Sequence, residues 1–157
     1  MIRTAARAMT IVVALVGLGD AATASGAPPT GTKDRAAIES AIQRYAGLIK
    51  ANDAVGVSRF FAANGELLEP GMSALAGPEA VRTFLESFKN VRVQSATMTT
   101  DSIEVFGASA IQWGQYTERA ALPDKPAIDL HGRFVAQWVR VPAGGWQIRR
   151  LLMQPAL

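Results

Sequence analysis

The chain contains no cysteine at all and a single histidine, His131. The first absence excludes disulfides, thiolate metal centres, cysteine nucleophiles and a lipid-modified bacterial anchor. The second leaves zinc short of ligands, because one imidazole without thiolates seldom assembles a site. Charge is also sparse, at 18% Asp, Glu, Lys and Arg with a net charge of +3. Basic residues stand singly apart from Arg149-Arg150, and no run of them would track a phosphate backbone, so nucleic acid is not an expected partner. There is no G-x-S-x-G nucleophile elbow, no N-x-S/T sequon and no phosphate-cradling glycine loop. Gly17-Leu18-Gly19 lies in the N-terminal apolar segment and opens no helix of the domain that follows. We therefore expect neither a metal nor any other cofactor.

What the chain does have is apolar residues, 49% of its 157, enough for one domain with a core that stands without staples. Residues 1–24 read as a secretory signal peptide: Arg3 and Arg7, then the apolar run Met9–Gly19, then the small-x-small triplet Ala22-Thr23-Ala24. That run has 11 residues, against roughly 20 needed to span a bilayer. The expected product is periplasmic or secreted, with no membrane attachment after cleavage. Residues 25–33 (SGAPPTGTK) read as a flexible leader, and residues 34–157 as the folded domain.

Within that domain, Ile38, Ile42, Tyr45 and Leu48-Ile49 mark one face of a helix over Asp34–Ala51. Asp53 caps a short second helix carrying Val57, Phe60 and Phe61. Asn64-Gly65 reads as a turn into an extended piece, Glu66–Glu69, followed by Met72–Ala76. Pro78 opens a third helix with Val81, Phe84, Leu85 and Phe88 inward. From Val91 the period changes to two, giving strands over Val91–Thr99, Ser102–Phe106, Ser109–Ala120, Ile128–Val141 and Trp146–Gln154. Helices first and hairpin-linked strands afterwards indicate an α+β fold with an antiparallel sheet.

This order, together with Ala51-Asn52-Asp53-Ala54, Leu75-Ala76-Gly77-Pro78-Glu79-Ala80-Val81, Trp113-Gly114-Gln115-Tyr116-Thr117, Gly132-Arg133-Phe134, Trp138-Val139-Arg140 and Gly144-Gly145-Trp146-Gln147-Ile148, resembles the nuclear transport factor 2 superfamily. Within it the chain is most similar to the SnoaL-like and ketosteroid-isomerase-like small proteins, over roughly residues 34 to 154. The resemblance implies a cone: a curved sheet wrapped on three N-terminal helices, with an apolar cavity open at one end. It also implies homodimers that pair sheet to sheet. Isomerases of this type use a carboxylate base deep in the cone, with a tyrosine and a protonated acid holding an oxyanion.

Candidate chemistry is limited to a few side chains. Glu66 and Glu69 flank Leu67-Leu68, and a spacing of three sets them on opposite faces of a regular strand. Asp129 and His131 share a strand face, where a carboxylate would orient the imidazole as a base or simply form a rim pair. Arg133 and Gln137 lie on one strand face with Val135 between them, and on the neighbouring strand Trp113 and Gln115 also sit two apart. Pointing inward, these would line a pocket for an amphipathic ligand; pointing outward, they would decorate the sheet or a dimer contact. Tyr45 and Tyr116 are candidate hydrogen-bond donors to a ligand oxygen. The leading expectation is an exported protein that binds a small apolar or amphipathic molecule in its cone, as a homodimer. The alternative is a cofactor-independent isomerase or lyase moving a proton next to a carbonyl. A third possibility is a purely interactive protein with a vestigial cone.

Overall fold

The computed structural model describes residues 31–156; the expected signal peptide and most of the expected leader lie outside them. The chain runs α1 (Thr32–Lys50), α2 (Ala54–Ser58), β1 (Phe61–Leu68), β2 (Leu75–Ala76), α3 (Gly77–Glu86), β3 (Arg92–Phe106), β4 (Ser109–Ala121), β5 (Ile128–Arg140) and β6 (Trp146–Pro155). The α+β class is as expected. The six strands form one open sheet in the order β2-β1-β6-β5-β4-β3. All neighbours are antiparallel except β1 and β6, which are parallel, so the sheet is mixed rather than wholly antiparallel.

The predicted stripe on α1 is the one that is buried: Ile38, Ala41, Ile42, Tyr45 and Ala46 pack into the hollow of the sheet. They meet Phe134, Ala136 and Trp138 of β5 and Ile148 and Leu151 of β6, all at most 1% exposed. Burying a side chain of this size stabilises the fold by about 1.5–3 kcal/mol each. The one polar group at the same depth, Gln112, is fully satisfied: it accepts from Trp138 Nε1 at 2.9 Å and donates to Thr100 Oγ1 at 2.7 Å.

Element boundaries differ from expectation at several points: Met72–Ala76 is a strand only at Leu75–Ala76, and Phe60 and Phe88 lie just beyond α2 and α3. Asn64-Gly65 is not a turn but lies inside β1, where the register against β6 shifts between Phe61 and Glu66. Phe61 therefore belongs to β1, not to α2. Val91–Thr99 and Ser102–Phe106 are one long strand, β3, with an irregularity between Thr100 and Ser102 against β4. Bulges of this kind bend a strand and sharpen its twist, which suits a sheet that must curl around α1.

The two ends of the cone are built differently. At one end the Asp34 carboxylate takes Arg140 at 2.6 Å and Trp146 Nε1 at 3.3 Å, and the Arg140 guanidinium lies 4.5 Å above the Trp146 ring. This clamp seals the N-terminal end of α1 onto β5 and β6. At the other end α1 stops at Asn52, whose left-handed backbone (φ 53°) an asparagine tolerates. Its side-chain amide holds Val91 O at 2.7 Å, and Asp53 caps α2 through the Gly56 N–H at 2.8 Å. Among the described residues no helix is long and apolar enough to cross a membrane.

Candidate functional site

Between the C-terminal half of α1, helices α2 and α3 and the open end of the sheet lies a cavity of 760 Å³. Its walls are chiefly Leu48, Ile49, Leu67, Phe84, Leu85 and Met98. Asn52, Asp53 and the Thr97–Thr117 pair also border it but are engaged with other groups, and Lys125 is exposed at its edge. Four further polar side chains stand in this apolar setting. Tyr45 comes from the buried stripe of α1, Glu69 follows the end of β1, and Tyr116 and Glu118 sit two apart on the inner face of β4. None of the four makes a hydrogen bond to another described residue, although Tyr45 is only 5% exposed. Every side-chain polar atom that is fully buried in the described residues has a partner, so the Tyr45 hydroxyl must open onto the cavity.

Their electrostatics are mutual. Burial raises the Glu69 carboxyl above its ordinary value, and the charge of Glu118 raises it further. Burial alone accounts for the rise at Glu118. Both tyrosines are pushed up, first by burial and then by the two glutamates. Two carboxyls held above the ordinary glutamate range in one apolar pocket keep their protons more readily than exposed ones. Such a site can take a proton at one oxygen, give one at another, and offer phenolic O–H groups to a ligand oxygen.

Of the residues singled out in the sequence, Tyr45, Tyr116 and Glu69 reach this cavity. Glu66 does not: its carboxylate takes Arg150 at 2.7 Å and lies 3.8 Å from Arg149, on the other side of β1. The two glutamates do part, but not by alternation within one strand, because Glu69 lies just past the end of β1. Asp129 binds Arg119 at 2.6 Å on the outer face, and His131 is exposed there beside it. The alternation is clear, because Ile128 and Leu130, which alternate with them along β5, are the ones that line the cavity. Neither member of that pair is a candidate base.

The set Trp113, Gln115, Arg133 and Gln137 is likewise corrected. Gln115 is paired directly with Arg133, and Trp113 with Val135, so the four share a face, but it is the convex one. Gln115 reaches Asp101 at 3.4 Å and Gln137 accepts from Arg150 at 3.5 Å. A one-residue inversion moves a whole strand face from pocket to outside. Glu118 was missed, yet the same alternation that singles out Tyr116 carries it to the same face. No group of three or more acidic or histidine side chains that could hold a metal occurs among the described residues.

With fold and cavity in place, the comparisons with known proteins are direct. A SnoaL-like domain model matches residues 31–151. No curated protein matches the chain significantly. Solved structures of similar fold include a ketosteroid isomerase-like protein from Erwinia carotovora atroseptica, with a TM-score of 0.72, 16% identity, and coverage of 80% of this chain and 98% of that one. A conserved protein from Planctomyces limnophilus gives 0.71 at 19% identity, covering 79% and 98%. ActVI-ORFA from Streptomyces coelicolor gives 0.68 at 16% identity, covering 79% and 98%. These likenesses extend over nearly the whole of each neighbour and concern the fold; the family follows from the model match across most of the chain. The chain belongs to the SnoaL-like domain family, with the nuclear transport factor 2-like, ketosteroid isomerase-like cone fold.

Proposed function

We propose that this protein is a cofactor-independent isomerase or lyase that takes a small apolar carbonyl compound into its cone and moves a proton next to the carbonyl. One observation carries the reading: Glu69, Glu118, Tyr45 and Tyr116 open onto one apolar cavity with no hydrogen bond to other described residues. Polar groups of a purely structural core find partners; Tyr45, 5% exposed, has none and opens onto the cavity beside the three partly buried groups. Of the three readings the sequence left open, binding, proton transfer and pure interaction, the two carboxyls with raised proton affinity in one cavity favour proton transfer. The fold is shared with a ketosteroid isomerase-like neighbour, which is consistent with this chemistry.

In the proposed step the ionised glutamate removes a proton from the carbon beside the carbonyl. The C–H electron pair becomes the new C=C bond, and the carbonyl electrons move to oxygen, where a tyrosine O–H holds the enolate. Isomerisation ends when the same carboxyl returns the proton to a different carbon. Elimination ends when a β-hydroxyl leaves as water, taking its proton from the other carboxyl. The test is solvent deuterium exchange beside the carbonyl of an apolar cyclic ketone such as 2-tetralone, followed by mass spectrometry. The wild-type protein should accelerate exchange, and Glu118→Gln or Glu69→Gln should lower the rate by about 10²–10⁴-fold. Ketone binding with no exchange above background would return the protein to the binding and accessory reading.

We also propose that the working form is exported and homodimeric. Export is supported by the pattern of residues 1–24. Pairing is supported by an apolar row on the convex face: half-buried Trp113 and exposed Val135 and Leu152 lie in register across β4, β5 and β6, with exposed Ile111 beside them.

A further inference from the structure

The polar equipment of the cavity is one-sided in charge. Its acids are Glu69, Glu118 and Asp53, the last engaged by the Gly56 N–H. Its lining contains no arginine or histidine, and its one cation, Lys125, is exposed in the loop between β4 and β5. Nothing titratable faces the glutamates from the other walls: α3 offers Phe84, Leu85 and Phe88, and β5 and β6 offer Ile128, Leu130 and Met153. From β3 come only apolar side chains and Thr97, whose hydroxyl pairs with that of Thr117 at 2.7 Å. The arginines of the neighbouring strands that pair with acids, Arg119, Arg149 and Arg150, do so on other surfaces. The two phenols remain as donors, and Tyr45 is a deeply buried one without a hydrogen-bond partner among the described residues.

An anion entering this cavity would lose its hydration, find no cation at depth, and meet carboxylates of its own sign. Burial of an unpaired charge is among the most costly events in a protein interior. A neutral ligand of the same shape meets none of these costs and finds two O–H donors. We propose that the cone selects by charge: it accepts neutral ligands whose oxygen reaches Tyr45 and Tyr116, and it rejects carboxylates and sulfonates of the same shape, with Glu69 and Glu118 as the discriminating residues. This rests on the reading of the cavity as a ligand site and adds to it the class of ligand admitted. It also replaces the anion-friendly pocket that an inward-facing Arg133 would have made.

The experiment compares two nearly isosteric probes, 2-naphthalenesulfonamide and 2-naphthalenesulfonate, by titration calorimetry at about pH 8 and about pH 4. The lower value lies below the ordinary 4.5 of a glutamate, so carboxyls raised above it gain protons while the probe charges stay fixed. The sulfonamide should bind at least ~10-fold tighter than the sulfonate at the higher pH. The gap should narrow at the lower pH, and it should collapse in the Glu69→Gln, Glu118→Gln double variant. Equal affinities at the higher pH, or a gap that the double substitution leaves intact, would overturn charge selection while leaving a ligand site standing. Should the double variant not fold, a gap in the wild-type protein that is unchanged between the two pH values overturns it equally. Failure of both probes to bind would remove the ligand-site reading and this inference together.

Discussion

Tyr45 fills two roles that can be separated by one atom. Its ring packs against Phe60 and Phe61, with centroids at 5.9 and 6.4 Å, while its hydroxyl serves no other protein group. A structural tyrosine that loses its hydroxyl leaves a partner unsatisfied, at about 1–3 kcal/mol. Tyr45→Phe should instead leave the denaturant midpoint nearly unchanged and still weaken ligand binding or turnover; a large loss of stability would assign the hydroxyl a structural partner. The glutamates give a pH prediction with a definite sign. Their folded-state proton affinities are raised above the ordinary value of 4.5, so the native state holds more protons than the unfolded chain between the two. Stability contributed by these groups is present below the ordinary value and is lost as pH rises through the raised ones. Proton abstraction needs an ionised member, so the rate should climb over the same window. Melting temperature and rate moving in opposite directions, both flattened in the double glutamine variant, is the expected signature. At this scale the sequence was half legible. Spacing of three separates Glu66 from Glu69, and spacing of two ties Glu118 to Tyr116, but neither says which face is hollow.

The same limit operates on elements. Helix α1 is legible because its period of three and four is local, and β4 and β5 because adjacent hairpin strands announce each other. β1 is not, because its partner β6 comes some 80 residues later in the chain and pairs with it in parallel. Local chemistry made Asn64-Gly65 a turn; long-range pairing draws it into a strand with a register shift. Gly65 is required there for space. A Cβ on it would stand 2.7 Å from Ile148 O and 2.9 Å from Ala62 O, both main-chain atoms that cannot rotate away. Gly65→Ala should cost about 1–3 kcal/mol, read as an earlier chemical denaturation midpoint. An unchanged midpoint would show that β1 and β6 can part at this point without loss. Glu66→Gln, one residue on, removes only a partly exposed ion pair, so it should cost under about 1 kcal/mol and leave proton exchange untouched.

For the whole molecule, the convex face is where assembly would register. Val135, 42% exposed at the middle of the apolar row, touches neither the core cluster nor the cavity lining. Val135→Glu should therefore convert a dimer to a monomer in sedimentation velocity while the far-ultraviolet dichroism stays native. A wild-type protein that sediments as a monomer at micromolar concentration would leave that face without a second copy. The clamp of Asp34, Arg140 and Trp146 has a different consequence. It holds the first turn of a helix of 19 residues, about 28 Å long at the usual rise, whose last turns border the cavity. Whatever is joined ahead of Thr32 thus starts from the pole opposite the cavity. A molecule tethered to a bead or sensor chip through that end would stand with its opening turned outward to the solution, free to load and unload.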